Sequence, residues 1–225
     1  MARVQWMRRR LETSPLLARA APFVLFLVLT ALQGRVGEAS HYWIYLGKTV
    51  AGAWLIWLIR PYVAEMRWAI SWEAGAVGVA VFFVWVGLDP YYPKFGKPGP
   101  AWNPHAEFGS GTGLAWLCVV GRVLGSSLVV PPLEEVFYRS FVYRFLVKQD
   151  FLAVPLGAFA WMPLLVTSGV FGLSHFEWLA GGVCGLAFQA LVIWKKRLGD
   201  AMTAHAITNL LLGLWVVWKG AWHFW

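Results

Sequence analysis

The chain has 225 residues, of which 59% are hydrophobic and only 13% charged. A soluble domain carries about 25% charged residues, so this chain has too few to cover a water-exposed surface, and its 16 tryptophans suit headgroup interfaces better than a soluble core. The formal net charge of +8 does not form a nucleic-acid patch, because Lys and Arg sit in short clusters between apolar runs, the pattern that orients a membrane protein.

The fold class read from this pattern is all-α: a polytopic membrane protein, one membrane-embedded domain over 1–225, with about seven to eight transmembrane helices. Residues 1–19 form a basic, partly polar lead-in containing Arg3, Arg8, Arg9, Arg10 and Arg19. A secretory signal also starts basic, but no small-residue cleavage site follows the first apolar run, which is read as a retained first span. Apolar segments lie at about 20–33, 41–59, 69–88, 112–131, 133–147, 152–174, 178–194 and 201–219. Crossing a bilayer takes about 20 helical residues, so 20–33 and 133–147 are short. Pro131-Pro132 removes two donors from a long apolar stretch and predicts a kink or break there. The Pro-, Gly- and aromatic-rich stretch 89–111 belongs outside the hydrocarbon, where irregular backbone can be solvated. Cys118 and Cys184 lie in apolar segments without ligand spacing and read as small core residues.

The Lys/Arg distribution sets the orientation. The N-terminal cluster, Arg60 with Arg67, Arg144 with Lys148, and Lys195-Lys196-Arg197 fall on the cytoplasmic side. The stretch 89–111 and the terminal Trp222-His223-Phe224-Trp225 fall on the other, provided 112–147 makes one net crossing. A bacterial inner membrane is the expected location, with the N-terminus cytoplasmic and membrane lipids as obligate partners.

Ionisable residues at membrane depth are costly and mark function by default. The main cluster is Glu134-Glu135-Val136-Phe137-Tyr138-Arg139, just after the prolines. Glu135 and Arg139 are i and i+4 and share a helix face, whereas Glu134 points about 100° away. One carboxylate is thereby neutralised while the other is left to face a cavity. An isolated Glu-Glu pair reads more simply as a helix end with an ordinary salt bridge. Two further features oppose that reading: His175, closing an apolar run, and His205 with Asn209, i and i+4 inside the last span. Each histidine alone is more often a hydrogen-bonded core residue. Together with Glu134 they supply a base, a polariser and donors for splitting an amide with water. Arg122 either snorkels or pairs with a carboxylate. Glu73 and Glu177 read as interfacial, His41, His105 and His223 as solvated, and Gly181, Gly182 and Gly185 as close helix contacts.

The order Glu-Glu-x-x-x-Arg, Phe-x-x-x-His, His-x-x-x-Asn, here Glu134, Glu135 and Arg139, Phe171 and His175, His205 and Asn209, resembles the CAAX-protease and bacteriocin-processing (Abi) family of intramembrane proteases. The likeness covers about 112–219; a looser one in the N-terminal half is to the branch found alongside exosortase systems. The resemblance implies an intramembrane endopeptidase in which Glu134, helped by His175, activates water. His205 and Asn209 would stabilise the oxyanion, and Glu135 and Arg139 would hold the motif helix. It implies a membrane-associated protein or peptide substrate, lipid-modified in the eukaryotic relatives, and no nucleic acid. No cofactor is expected; zinc on Glu134, His175 and His205, with Glu135 beside them, is the less favoured alternative, since no His-Glu-x-x-His motif is present. A non-catalytic scaffold or immunity-type protein is the competing function, and a proton-relaying transporter ranks below it. One difficulty stays open. Counted from the cytoplasmic anchors at about 1.5 Å per residue, Glu134 lies about 20 Å deep, His175 deeper and Asn209 nearer 15 Å.

Overall fold

The computed structural model describes residues 2–37, 39–94 and 101–225, which form helices and no strands. The side chains of residues 2–4, 7 and 8, Arg3 and Arg8 among them, lie outside the described set, as does 95–100 of the expected polar stretch. The helices are α1 (Ala2–Thr13), α2 (Pro15–Ala31), α3 (Ser40–Ile59), α4 (Trp72–Leu88), α5 (Pro104–Phe108), α6 (Gly113–Val147), α7 (Trp161–Leu173), α8 (Trp178–Lys195) and α9 (Gly199–Lys219). Among the described residues α3, α4 with its extension to Tyr91, α6, α8 and α9 are long and apolar enough to cross a bilayer, and α2 and α7 are shorter apolar helices. These seven make a polytopic helical membrane protein. Its outer surface exposes Val24, Leu25, Phe83, Leu117 and Leu165, residues that a soluble protein of this size would bury.

The helix starts follow local chemistry. Ser14, Ser71 and Thr112 accept from the backbone N–H three residues on, capping α2, α4 and α6, and Pro15 occupies the first position of α2, where its missing donor costs nothing. At the other end, Lys196 and Gly220 take left-handed conformations that stop α8 and α9.

Two expectations are corrected. The segments 112–131 and 133–147 are one helix of 35 residues, and Pro131-Pro132 does not break it into two. The chain absorbs the prolines by widening into a π segment, Gly125–Val129, in which Val130 N–H bonds back to Gly125. A second π segment, Val136–Val142, follows the glutamates. The apolar run 152–174 is helical only from Trp161. Pro155 and a 3-10 turn at Phe151–Ala153 keep its first part irregular, and the Tyr143 hydroxyl pins it by donating to Ala158 and accepting from Ala160. The lead-in also differs from expectation: Arg19 is inside α2 and buried, with its guanidinium on Glu65 at 2.8–3.0 Å.

Packing brings the motif helix to the centre. α3 runs parallel to α6, with Leu46 over Gly121, Thr49 over Gly125 and Gly52 over Val129 and Leu133. α7 and α8 lie close because their contact residues are small. A Cβ on Gly172 would meet the Trp178 carbonyl at 2.6 Å, and one on Gly185 would meet the Ser168 backbone at 2.8 Å. The basic clusters gather at one end of the bundle around the connection 60–71: Glu65 binds Arg19, Ser140 and Arg144, and Gly199 packs on the Arg67 carbonyl. Lys195 meets Glu73 there at 2.7 Å. Trp178 donates to Pro93, and His223 pairs with Asp89, at the other end.

Candidate active site

The site is built where α6 and α9 cross. Glu135 is fully buried. Its Oε1 accepts from His205 Nδ1 at 2.9 Å and faces Arg139 Nη1 at 3.2 Å. The i, i+4 pairing of Glu135 and Arg139 expected from spacing is therefore present, and His205 joins it from α9. The Arg139 guanidinium is sandwiched further: it lies 4.4 Å from the Phe171 ring and its Nη2 reaches the Gly185 carbonyl at 3.4 Å. The His205 ring stacks on Phe188 at 5.1 Å.

Because a carboxylate only accepts, the 2.9 Å contact puts a proton on His205 Nδ1. Nε2 is turned toward Glu134, 3.9 Å from its Oε2. That carboxylate oxygen is buried and has no hydrogen-bond partner among the described residues. The two adjacent glutamates thus divide as the helix geometry requires. Glu135 is tied down by a cation and an imidazole, and Glu134 keeps acceptor capacity in a site of low dielectric, where it is available for a proton.

His175 follows the last turn of α7. Its Nδ1 lies 2.7 Å from the Phe171 carbonyl and 3.2 Å from Ser174 Oγ. The carbonyl can only accept, so Nδ1 carries a hydrogen, and in the neutral ring Nε2 is then the nitrogen with the lone pair. The ring packs on Phe171 at 4.7 Å and edge-on to Trp85 at 5.6 Å. No hydrogen bond joins His175 to Glu134 among the described residues. The connection runs through Tyr138, one helical turn after Glu134, whose hydroxyl donates to Ser174 at 3.4 Å, and through Phe171, which touches both histidine rings.

Asn209 is held elsewhere, with Nδ2 donating to the Ser126 carbonyl at 2.8 Å. The prolines explain why that carbonyl needs a donor. Val130 N–H is already bonded to Gly125, and Pro131, next in line, has no N–H to offer. The structure therefore brings Glu134, Glu135, Arg139 and His205 into direct contact, joins His175 through an aromatic and hydroxyl bridge, and sets Asn209 one turn along α9 as a brace for the π segment.

Of the two expectations for Arg122, pairing with a carboxylate is not seen among the described residues. Its guanidinium sits among Tyr45, Trp102 and Trp225 at 4.4–5.3 Å, with no carboxylate within ion-pair distance among the described residues. Three functional or bracing residues escaped the sequence reading. Tyr138 and Ser174 bridge the two motifs. Lys48 is buried inside α3 and donates to Thr30 at 2.8 Å; as a lysine within an apolar run it carried a visible signal. Among the described residues no group of three or more His, Cys, Asp or Glu side chains is arranged to hold a metal ion. Glu135 and His205 spend their facing atoms on one another.

Residues 115–211 match a protein family described as type II CAAX prenyl endopeptidase Rce1-like. The matched stretch runs from α6 into α9 and includes all seven motif residues; residues 1–114, where the exosortase-branch likeness was expected, lie outside it and nothing found supports that branch. No curated protein and no solved structure matches the chain. The motif-bearing segment is thus similar to the type II CAAX prenyl endopeptidase Rce1-like family.

Proposed function

We propose that this protein is an intramembrane endopeptidase that hydrolyses a peptide bond in a membrane-associated protein or peptide, with Glu134 as the general base. One observation carries the reading. Of two adjacent buried glutamates, Glu135 is neutralised by Arg139 and bonded to His205, while Glu134 keeps a buried carboxylate oxygen free 3.9 Å from His205. The description of the matched family supports a CAAX-type protease in general.

In this reading Glu134, assisted by the unprotonated Nε2 of His175, takes a proton from water as the water oxygen bonds to the scissile carbonyl carbon. The second N–H of Asn209 and, where the ring enters the cycle as an imidazolium, His205 Nε2–H donate to the resulting oxyanion. One such donor contributes on the order of 3 kcal/mol in a water-poor site. The C–N bond then breaks, and the proton held by Glu134 passes to the leaving nitrogen. The products are a carboxylic acid and an amine, which pass to carboxylate and ammonium by transfer of the remaining proton, with no change of oxidation state. Glu135 and Arg139 hold the motif helix and touch no reacting atom. The scheme is metal-free, and zinc on Glu134, His175 and His205 is its alternative. The basic end of the bundle faces the cytoplasm of a bacterial cell, and the substrate is anchored in the same membrane.

The test uses the full chain reconstituted in phospholipid vesicles with an internally quenched, S-farnesylated CAAX peptide. Wild-type protein is expected to cleave it, with the rate unchanged by a zinc chelator. Glu134→Gln is expected to be inactive while retaining its circular dichroism and thermal midpoint. Cleavage by Glu134→Gln at the wild-type rate would remove the assignment.

A further inference from the structure

At the basic end of the bundle a cavity of about 820 Å³ opens between α3, the 60–71 connection, α6 and α9. One face of α3 forms its wall: Ala53, Trp57 and Arg60 are four and then three residues apart and line up along the helix. From Ala53 to Arg60 that wall runs about 10 Å. The inner end is closed by Pro132 and Met202. Pro132 is three residues before Glu135, and Met202 three before His205, so each lies one turn from the bonded Glu135–His205 pair. The cavity therefore leads from the surface toward the motif residues.

Arg60 and Arg67 line the cavity and are exposed. Neither lies within ion-pair distance of a carboxylate among the described residues. Other cations at this end differ: Arg19, Arg144, Lys195 and Arg197 each meet one. Glu65, the acid between the two arginines in sequence, is spent on Arg19, Ser140 and Arg144. The backbone of Arg67 is fixed, because Gly199 packs on its carbonyl. Gly199 begins α9 six residues before His205, about 9 Å along the helix. Two helices thus set two uncompensated guanidiniums at similar distances from the site. Like charges on one cavity raise a positive potential inside it, and the guanidinium fork matches a carboxylate.

We propose that this cavity is a substrate cleft and that Arg60 and Arg67 bind a carboxylate of the peptide being cut, which makes them specificity residues outside the matched segment. The proposal rests on the protease reading, but its test does not depend on turnover. The carboxylate belongs to the peptide's chain end or to an Asp or Glu side chain. A lipid headgroup needs charge only at the surface. A cleft that continues inward to the turn before Glu135 and His205 suits a short extended peptide. Neither arginine touches a reacting atom.

Binding is measured on the full-length Glu134→Gln chain in phosphatidylcholine vesicles. The probes are fluorescent S-farnesylated CAAX peptides: one with a free terminal carboxylate, its carboxamide, and a carboxamide ending in Asp. A carboxylate-bearing peptide is expected to bind at least about fivefold more tightly than the plain carboxamide, with the ratio shrinking as salt is raised. A gain for the free acid alone assigns the site to the chain end, and a gain for the Asp peptide assigns it to a side chain. In Arg60→Gln/Arg67→Gln the ratio should fall toward one, and Arg60→Lys/Arg67→Lys should keep part of it. Each single Gln variant should lose part of the preference, which covers a double variant that fails to fold. A ratio of one with both arginines present would overturn the proposal. So would a preference that survives the double Gln substitution. Arginine-dependent binding that appears only with phosphatidylglycerol in the vesicles, and equally for all the peptides, would overturn it too and make the arginines lipid anchors. If the chain with Glu134 intact cleaves none of the peptides while the preference holds, the protease reading fails and the carboxylate site stands. Cleavage of acid and carboxamide with equal kcat/KM and equal binding would do the reverse.

Discussion

At the scale of single residues, Asn209 has two demands on one amide. One N–H satisfies the Ser126 carbonyl that the π segment and Pro131 leave without a helical donor. The other is the one assigned to the oxyanion. Asn209→Ala should therefore have two separable effects. Leaving a buried carbonyl unpaired costs about 1–3 kcal/mol, which a fall in thermal midpoint will register. Losing an oxyanion donor lowers kcat by about 10²–10³ with KM little changed, measured on the farnesylated peptide well below the midpoint. A lower midpoint with normal kcat would reduce Asn209 to a brace. The motif residues were legible in the sequence because an ionisable side chain in an apolar stretch stands out whatever the fold. The bond of Asn209 to Ser126 was not, because it depends on which carbonyl the prolines orphan in three dimensions. Tyr138 was passed over because an aromatic in a membrane helix is the ordinary case.

At the scale of elements, α6 holds the site in place from both ends. Two π segments flank Glu134 and Glu135, and widened turns of this kind often accompany functional positions. The prolines predicted an irregularity, and the structure shows it as a π segment rather than a break. Composition reveals a missing donor, but the register shift that absorbs it is a choice among backbone hydrogen bonds. Past the site, α6 is tied to α2 and to the 60–71 connection by Glu65, which binds Arg19, Ser140 and Arg144. No sequence spacing pairs residues so far apart. Burial pushes the Glu65 carboxyl upward, but the Ser140 hydroxyl and the Arg19 guanidinium outweigh it and hold the group below its usual 4.5. A carboxylate depressed by folding adds stability above its unfolded value and loses it as pH falls through the folded one. The thermal midpoint should accordingly drop on acidification below about 4.5. Glu65→Gln should lower the midpoint at neutral pH and flatten that acid dependence. An acid profile identical in the variant would mean that other carboxylates govern it.

At the scale of the whole molecule, the chain separates into two ends that the charge pattern foretold. Arg19, Arg67, Arg144 and Lys195 meet their partners at one end, and the segment around Trp178 and His223 lies at the other. Which end faces the cytoplasm is testable with little background, because both native thiols are buried. In intact bacterial cells His223→Cys should react with a membrane-impermeant thiol reagent, and Arg60→Cys only after permeabilisation. Labelling of both from the same side would contradict the topology. The depth difference met in the sequence between Glu134, His175 and Asn209 has a counterpart in the structure: His175 reaches the Glu134 cluster only through Phe171 and Tyr138, and Asn209 is bonded to Ser126. The account as a whole depends on Glu134 delivering water to a peptide bond within this bundle. A single turnover of the farnesylated peptide in ¹⁸O-water tests that most directly. Water attack predicts that the new product carboxylate carries one solvent oxygen in the first turnover and that Glu134 carries none. Label appearing in Glu134, or a product formed without solvent oxygen, would contradict it.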